Sequence, residues 1–232
     1  MAGGWIETLQ YAPPSIIKNI LSGFCWEGTP DSASMALTFD DGPDPDITPA
    51  VLDRLDSLGA IGTFFMVGEN VVRYPAVARM VYERGHLIGN HSMTHPKMFL
   101  MRKSEIEKEI DSTQKAIVET TGVKPGLFRP PYGIFDFTCA SVVKERELTM
   151  VLWTVLSGDY AHKSSEDIER TVVPYIRPGS IVVFHDTKKG GGENLPDLIL
   201  AIGARAKEKN IRLGGIDELS FTENISVEGD DD

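Results

Sequence analysis

The sequence predicts an α/β fold with parallel strands, in a sheet either open or closed into a barrel, and three observations carry that prediction. Apolar, strand-like runs alternate with helical segments about seven times along the chain, with no internal repeat and no low-complexity stretch. The helical segments have legible ends. Residues able to do acid, base or metal chemistry collect at the C-terminal ends of the strand-like runs, the edge on which parallel α/β folds build their sites. At 232 residues the chain can bury a sizeable core, and the even spread of apolar runs favours one α/β domain.

The first strand is expected over Met35 to Phe39. It runs into two adjacent carboxylates, Asp40 and Asp41, and Gly42-Pro43 then forbids the strand to continue. Thr48 reads as an N-cap with Pro49 at the first helical position and Gly59 past the last turn. A second strand is expected over Gly62 to Val67, a helix over Pro75 to Arg84 that stops at Gly85, and a third strand over His86 to Gly89, followed by His91 and His95. Ser104 with Glu107 forms a capping-box pattern for a helix running to Gly122. Gly126 to Arg129 is the fourth strand, trailed by Pro130, Pro131 and Tyr132, and Phe137 to Glu147 is the helix after it. Thr149 to Thr154 is the fifth, with Asp159 and Tyr160 beyond it; Ser165 opens a fifth helix. Ser180 to His185 is the sixth, closed by His185 and Asp186, before a helix over Leu195 to Lys209 and a weaker strand over Ile211 to Leu213.

Composition narrows the function classes. A formal net charge of −11 argues against a general nucleic-acid binder, which needs an excess of Lys and Arg. Cys25 and Cys139 form no C-x-x-C pair, so two free thiols are expected and neither a thiolate zinc site nor a disulfide scaffold. No segment approaches the roughly 18 apolar residues of a membrane span. The N-terminus carries an early Glu7 and lacks a basic region followed by an apolar core, so the chain as written is expected in the cytoplasm; a leader already removed, with residence in the cell envelope, would leave no trace. The expected organisation is an extension over residues 1–33, a catalytic domain over 34–220 and an acidic tail over 221–232.

The polar residues at five strand ends make a chemically coherent set. His91 and His95 are spaced i, i+4, which brings both imidazoles to one side if the segment is helical. With Asp41 they would give three protein ligands and open positions, the pattern of a catalytic rather than a structural metal site. Asp40 would then stand as a general base beside bound water, kept ionised by Arg129, and His185 could protonate a leaving amine with Asp159 tuning its imidazole. Backbone donors near Tyr132 could meet an oxyanion. Amide hydrolysis fits this equipment. Two histidines and a carboxylate also suit Fe(II) oxygen chemistry, but that chemistry does not need the second aspartate or His185. A non-catalytic carbohydrate-binding domain would not need the base and acid either. His86 is expected to be structural and His162 solvated; Asp44 and Asp46 read as turn or cap residues, and Lys188 to Gly192 as a loop.

The runs TFDDGP, HSMTH, RPPYG, LSGDY and VFHD, in this order, resemble the polysaccharide deacetylase family, carbohydrate esterase family 4 with the NodB homology domain. The resemblance covers about Ser34 to Leu219. It implies a distorted (β/α) barrel of the seven-stranded type and metal-dependent removal of acetyl groups from N- or O-acetylated sugars. It implies Asp40 as base, Asp41, His91 and His95 as metal ligands with Ser92 supporting their loop, and Arg129 as holder of the base. It further implies Tyr132 as the oxyanion residue through its backbone N–H, Asp159 as tuner of the acid and His185 as that acid. The metal it implies is Zn2+, with Co2+ or Ni2+ accepted in some members. The acetylated carbohydrate is the expected partner, either a chitin- or peptidoglycan-type glycan or, alternatively, a formylated or acetylated lipid-linked or small amino sugar or an O-acetylated xylan. Two regions depart from the family pattern: Leu156 and Tyr160 replace an acid and a Trp around Asp159, and Val183 replaces a Leu two residues before His185. Tyr160 and Val183 are therefore expected to wall the acyl pocket.

Overall fold

The structure, a computed structural model, describes residues 12, 13, 18, 23–161 and 164–221. Glu7, Pro14, His162 and the acidic run at 227–232 lie outside the described residues. Eight strands form one sheet: β1 Ser34–Asp40, β2 Thr63–Met66, β3 Leu87–Asn90, β4 Leu127–Phe128, β5 Thr149–Met150, β6 Val155–Leu156, β7 Ile181–His185 and β8 Arg212–Gly214. Their order is β5-β4-β3-β2-β1-β7-β6, with β8 also beside β1. Every pairing is parallel. The helices are α1 Thr48–Leu58, α2 Gly68–Arg73, α3 Pro75–Glu83, α4 Lys103–Thr121, α5 Phe137–Glu145, α6 Ser165–Val172 and α7 Leu195–Glu208.

β1 lies inside the sheet, paired with β2, β7 and β8, and all seven of its residues are buried, as expected of a parallel strand covered on both faces. Alternation sorts them. Met35, Leu37 and Phe39 face the helix layer with residues of α1 and α7, and Phe39 stacks on Phe64 at 4.7 Å and on Phe184 at 6.1 Å between ring centres. Each buried ring contributes about 1.5–3 kcal/mol by leaving water. Ala36, Thr38 and Asp40 occupy the opposite, inner face, so the periodicity that buries Phe39 also carries Asp40 to the inner rim.

The fifth strand differs from the sequence expectation, and the reason is the closure of the barrel. Thr149–Met150 pairs with β4, whereas Val155–Leu156 pairs with β7 on the far side. Between them Val151 N–H donates to Phe128 at 2.8 Å and Thr154 N–H to Ile181 at 2.9 Å. One stretch of chain thus crosses from one sheet edge to the other and bends at Leu152–Trp153, so that Asp159 and Tyr160 follow β6. Cys25 joins this crossing by exchanging backbone hydrogen bonds with Met150 and Leu152, and Gly28 N–H donates to Gly179. Both cysteines are free and buried, and burial pushes each thiol up to about 12.

Helix starts also moved. Thr48 is the first helical residue rather than the cap, because its hydroxyl accepts from Asp44 N–H at 2.8 Å and donates to Asp186 at 2.5 Å; Gly59 closes the helix in the left-handed conformation as expected. The capping box belongs to Arg102 and Glu105, two residues before the expected pair, since Glu105 reaches back to the Arg102 N–H at 3.0 Å. The short α2 was not anticipated; its six residues are too few to show a period. No described helix is long and apolar enough to cross a membrane.

Candidate active site

The strand ends converge as the alternation of elements predicts. Asp40 ends β1 with its side chain buried, and Oδ1 accepts from Arg129 Nη1 at 2.7 Å. Arg129 is fully buried and spends its donors in four directions. Nη1 also reaches the Thr38 hydroxyl at 2.8 Å, Nε the Val151 carbonyl at 3.2 Å and Nη2 the Leu152 carbonyl at 3.0 Å. The guanidinium carbon lies 4.1 Å from the Phe65 ring centre. Burial pulls the guanidinium pKa down, and the Asp40 carboxylate opposes that pull. The bend after β5 therefore has a second role: it turns two carbonyls inward as seats for this cation.

Asp41 leaves the strand with φ 76°, just before a cis Gly42-Pro43 bond. Asp186 fills the space that a side chain at position 42 would need, since a Cβ there would lie 2.4 Å from its Oδ2. Glycine is required for that close approach. Asp186 is wholly buried, and burial pushes its carboxyl up to about 7. Its backbone N–H also donates to the Asp40 carbonyl at 3.2 Å, linking the ends of β1 and β7.

His91 and His95 do meet Asp41, but not by way of a helix. The segment after β3 is a loop with Ser92 at φ 66° and His95 at φ 60°. Ser92 Oγ accepts from His95 N–H at 3.1 Å, Asn90 Oδ1 accepts from Ser92 N–H at 2.9 Å, and Glu109 of α4 accepts from the N–H groups of Met93 and Thr94. Those bonds substitute for helical ones. Asn90 and Glu109 gave no sequence signal beyond their polarity; the adjacency of Asn90 to His91 was the one available hint.

Asp41, His91 and His95 offer ligand atoms that all lie within 4.8 Å of one another. Asp41 Oδ1 is 3.0 Å from His95 Nε2 and 3.5 Å from His91 Nε2, and it is buried without an aligned hydrogen bond. Donors about 2.0 Å from a tetrahedral ion stand about 3.3 Å apart, so the triad fits a divalent cation. His91 Nδ1 lies 2.8 Å from the Arg129 carbonyl; donation to that oxygen leaves Nε2 as the lone-pair nitrogen facing Asp41. Burial would raise the Asp41 pKa, but the His91 and His95 imidazoles, and then His185, hold it well below the usual carboxylate range.

His185 ends β7 opposite Asp40 in register. Asp159 accepts from its backbone N–H at 2.7 Å through Oδ2 and bonds its Nδ1 at 2.8 Å through Oδ1. Burial opposes the imidazolium, yet Asp159, then Asp41 and Asp40, raise its pKa to about 9. The Tyr160 ring stands edge-on to this imidazole at 5.4 Å. Val183 lies two residues before His185 on the same face and is fully buried, beneath the site. Tyr132, at φ 60°, sets its ring 4.6 Å from His95 and is 58% exposed.

The outlying histidine follows its bland reading. His86 is buried and takes the Gly62 N–H on Nδ1 at 3.1 Å, with burial lowering its pKa. Asp44 caps its own turn by accepting from Asp46 and Ile47 N–H groups, and Lys188 pairs with Asp46 at 2.6 Å.

Comparison with known proteins agrees with this geometry. A family described as polysaccharide deacetylase matches residues 27–151. A peptidoglycan-N-acetylglucosamine deacetylase of Bacillus cereus is 31% identical over 208 residues, covering 90% of this chain and 71% of the relative. A chitooligosaccharide deacetylase of Azorhizobium caulinodans is 36% identical over 161 residues, covering 68% of this chain and 76% of that one. The crystal structure of the Bc1960 peptidoglycan N-acetylglucosamine deacetylase superposes with a TM-score of 0.83 at 28% identity, over 90% of this chain and 98% of the other. The curled parallel sheet, the strand-end site and these likenesses together show that the chain belongs to the polysaccharide deacetylase family.

Proposed function

We propose that this protein is a metal-dependent hydrolase that removes the acetyl group from the acetamido nitrogen of N-acetylated sugars of peptidoglycan or chitin type. The observation that carries the reading is that two differently equipped pairs, Asp40–Arg129 and Asp159–His185, stand at neighbouring strand ends beside the Asp41–His91–His95 triad. The triad would hold the divalent ion, Zn2+ first among the candidates with Co2+ and Ni2+ as alternatives. Bound there, the ion supplies Lewis-acid chemistry, polarising a carbonyl and making water easier to deprotonate.

The remaining roles belong to the chain. Asp40, held in place by Arg129, takes the proton of the attacking water. The water oxygen bonds to the acetyl carbon while the Tyr132 backbone N–H donates to the developing oxyanion. His185, protonated on Nε2 and held by Asp159, gives its proton to the sugar nitrogen as the C–N bond breaks, releasing acetate and a free amine. Tyr160, against the imidazole, and Val183, beneath it, limit the space for the acyl group.

The test is acetate release from N-acetylglucosamine oligosaccharides, of chitin type and from peptidoglycan, by metal-stripped protein with and without added Zn2+ or Co2+. Release that requires the metal supports the reading. Equal release without metal, or none from either glycan by metal-loaded protein, contradicts it.

A further inference from the structure

Three consecutive glycines, Gly190 to Gly192, follow the end of β7 and fold back onto His185. Glycines in a row leave a free chain loose, but this run is pinned. Gly190 N–H donates to the Thr187 carbonyl at 3.1 Å and to the Thr187 hydroxyl at 3.0 Å, and Gly192 N–H donates to the same carbonyl at 3.0 Å. The segment after β1 holds the turn from outside, where Asp44 accepts from Lys188 N–H at 3.3 Å and Asp46 pairs with the Lys188 ammonium at 2.6 Å. Gly190 and Gly192 are buried.

The turn lies against the acid pair. A Cβ on Gly190 would overlap the Cβ of His185, and one on Gly191, where φ is 77°, would overlap the Asp159 carbonyl oxygen. Both approaches are closer than a side chain permits, and the second also needs a left-handed backbone. One turn therefore touches both members of the pair. Asp159 holds His185 by its backbone N–H and Nδ1, while Oδ1 of the same carboxylate accepts from Tyr160 N–H at 2.9 Å. Those bonds place the imidazole only as firmly as the Asp159 backbone is itself placed, and Gly191 sits on that backbone's carbonyl. Asp159 is 2% exposed, so its bonds to His185 are made away from water, where they are strong and sensitive to displacement.

Resting on the deacetylase reading, we propose that Gly190 and Gly191 are positioning residues for proton donation: their backbone fills the space against the acid pair and holds His185 Nε2 in line with the sugar nitrogen. They act through His185 and Asp159 rather than on the substrate. A methyl group at position 191 has to push the Asp159 carbonyl away, and the carboxylate and imidazole move with it. A displacement of about 1 Å at a reacting group costs on the order of 100-fold in rate.

The experiment compares Gly191→Ala with Gly85→Ala in the full, Zn2+-loaded chain. Gly85 has the same φ of 77° but open space around it, and it precedes β3, at the strand end away from the site. Both variants carry the same left-handed strain; only the first presses on the acid pair. Two substrates are used, a chitooligosaccharide, whose nitrogen leaves only when protonated, and 4-nitrophenyl acetate, whose leaving group departs as a stable anion. Gly191→Ala is expected to lower kcat on the acetamide about 10- to 100-fold with KM little changed, and to leave aryl ester turnover within about twofold. Gly85→Ala should change neither. Thr187→Val, which removes one acceptor of the Gly190 N–H, loosens the same turn gently and carries the test if Gly191→Ala does not fold, with an acetamide-selective fall of roughly fivefold. A readout independent of turnover is the proton resonance of His185 Nδ1–H in 15N-histidine-labelled protein, assigned by its loss in His185→Gln. It should lie downfield and exchange slowly in the unsubstituted chain and in Gly85→Ala, and move upfield and exchange faster in Gly191→Ala. A shifted resonance in a protein that releases no acetate from any acetamido sugar would support the positioning role and contradict the deacetylase reading. An unchanged resonance in Gly191→Ala, equal loss on both substrates, or the same loss in Gly85→Ala overturns the proposal.

Discussion

The two carboxylate–cation pairs of the site look alike in distance and differ in everything else. Asp40–Arg129 is 2.7 Å long and Asp159–His185 is 2.8 Å. The first cation is a guanidinium, which stays charged, and it is locked by four hydrogen bonds inside the barrel. The second is an imidazole that titrates near physiological pH when unperturbed and here is raised to about 9. In the proposed reaction the first pair offers an incoming proton only its carboxylate, because the guanidinium keeps its own protons, whereas the second pair offers the imidazolium proton. The proposed division into base and acid rests on the chemical identity of the partner rather than on contact distance.

Removing the base should have the largest effect on rate. Asp40→Asn is expected to lower kcat by about 10²–10⁴-fold while leaving metal content unchanged, checked by acetate release alongside metal stoichiometry. Undiminished turnover would break the comparison at its first member. Removing the cation instead should show up in stability: Arg129→Met leaves Asp40 buried and unpaired, a loss of about 3–5 kcal/mol readable in urea unfolding. Arg129→Lys should recover only part of it, because an ammonium cannot reach two carbonyls, a hydroxyl and a carboxylate from one plane. The smallest effect is expected at the loop supporting the ligands. Ser92→Ala deletes the acceptor for His95 N–H and should weaken metal binding by roughly fivefold, the worth of about 1 kcal/mol for one hydrogen bond, measured by competition with a chelator.

Much of this was legible in the sequence, for physical reasons that also explain what was not. Alternation of strand and helix fixed the order of elements, and strand periodicity carried Asp40 inward and Phe39 outward. The strand end at Gly42-Pro43 was legible because those residues forbid continuation, but Asp186 as the group that demands a glycine there comes from the far side of the sheet. Tertiary pairing, not local propensity, split the fifth strand, since each half is held by a different neighbour. The His91–His95 spacing predicted two rings on one side, and they lie 5.0 Å apart between centres, but left-handed residues and Glu109 bring them together where a helix was expected.

The account rests most directly on His185 as an acid tuned by Asp159, and the pH dependence of kcat/KM tests it. With its folded pKa raised, His185 favours the folded state below its unfolded value near 6.5, and that contribution is lost as pH rises through about 9. Turnover should fall over the same alkaline range as the proton to be donated is lost. A metal ion at Asp41 removes part of that carboxylate's influence, so the loaded enzyme's alkaline limb should lie at or below 9. Asp159→Asn should move the limb to lower pH, with the metal still bound. An alkaline limb in the same place in both proteins would contradict the assignment of His185 as the acid and Asp159 as its tuner.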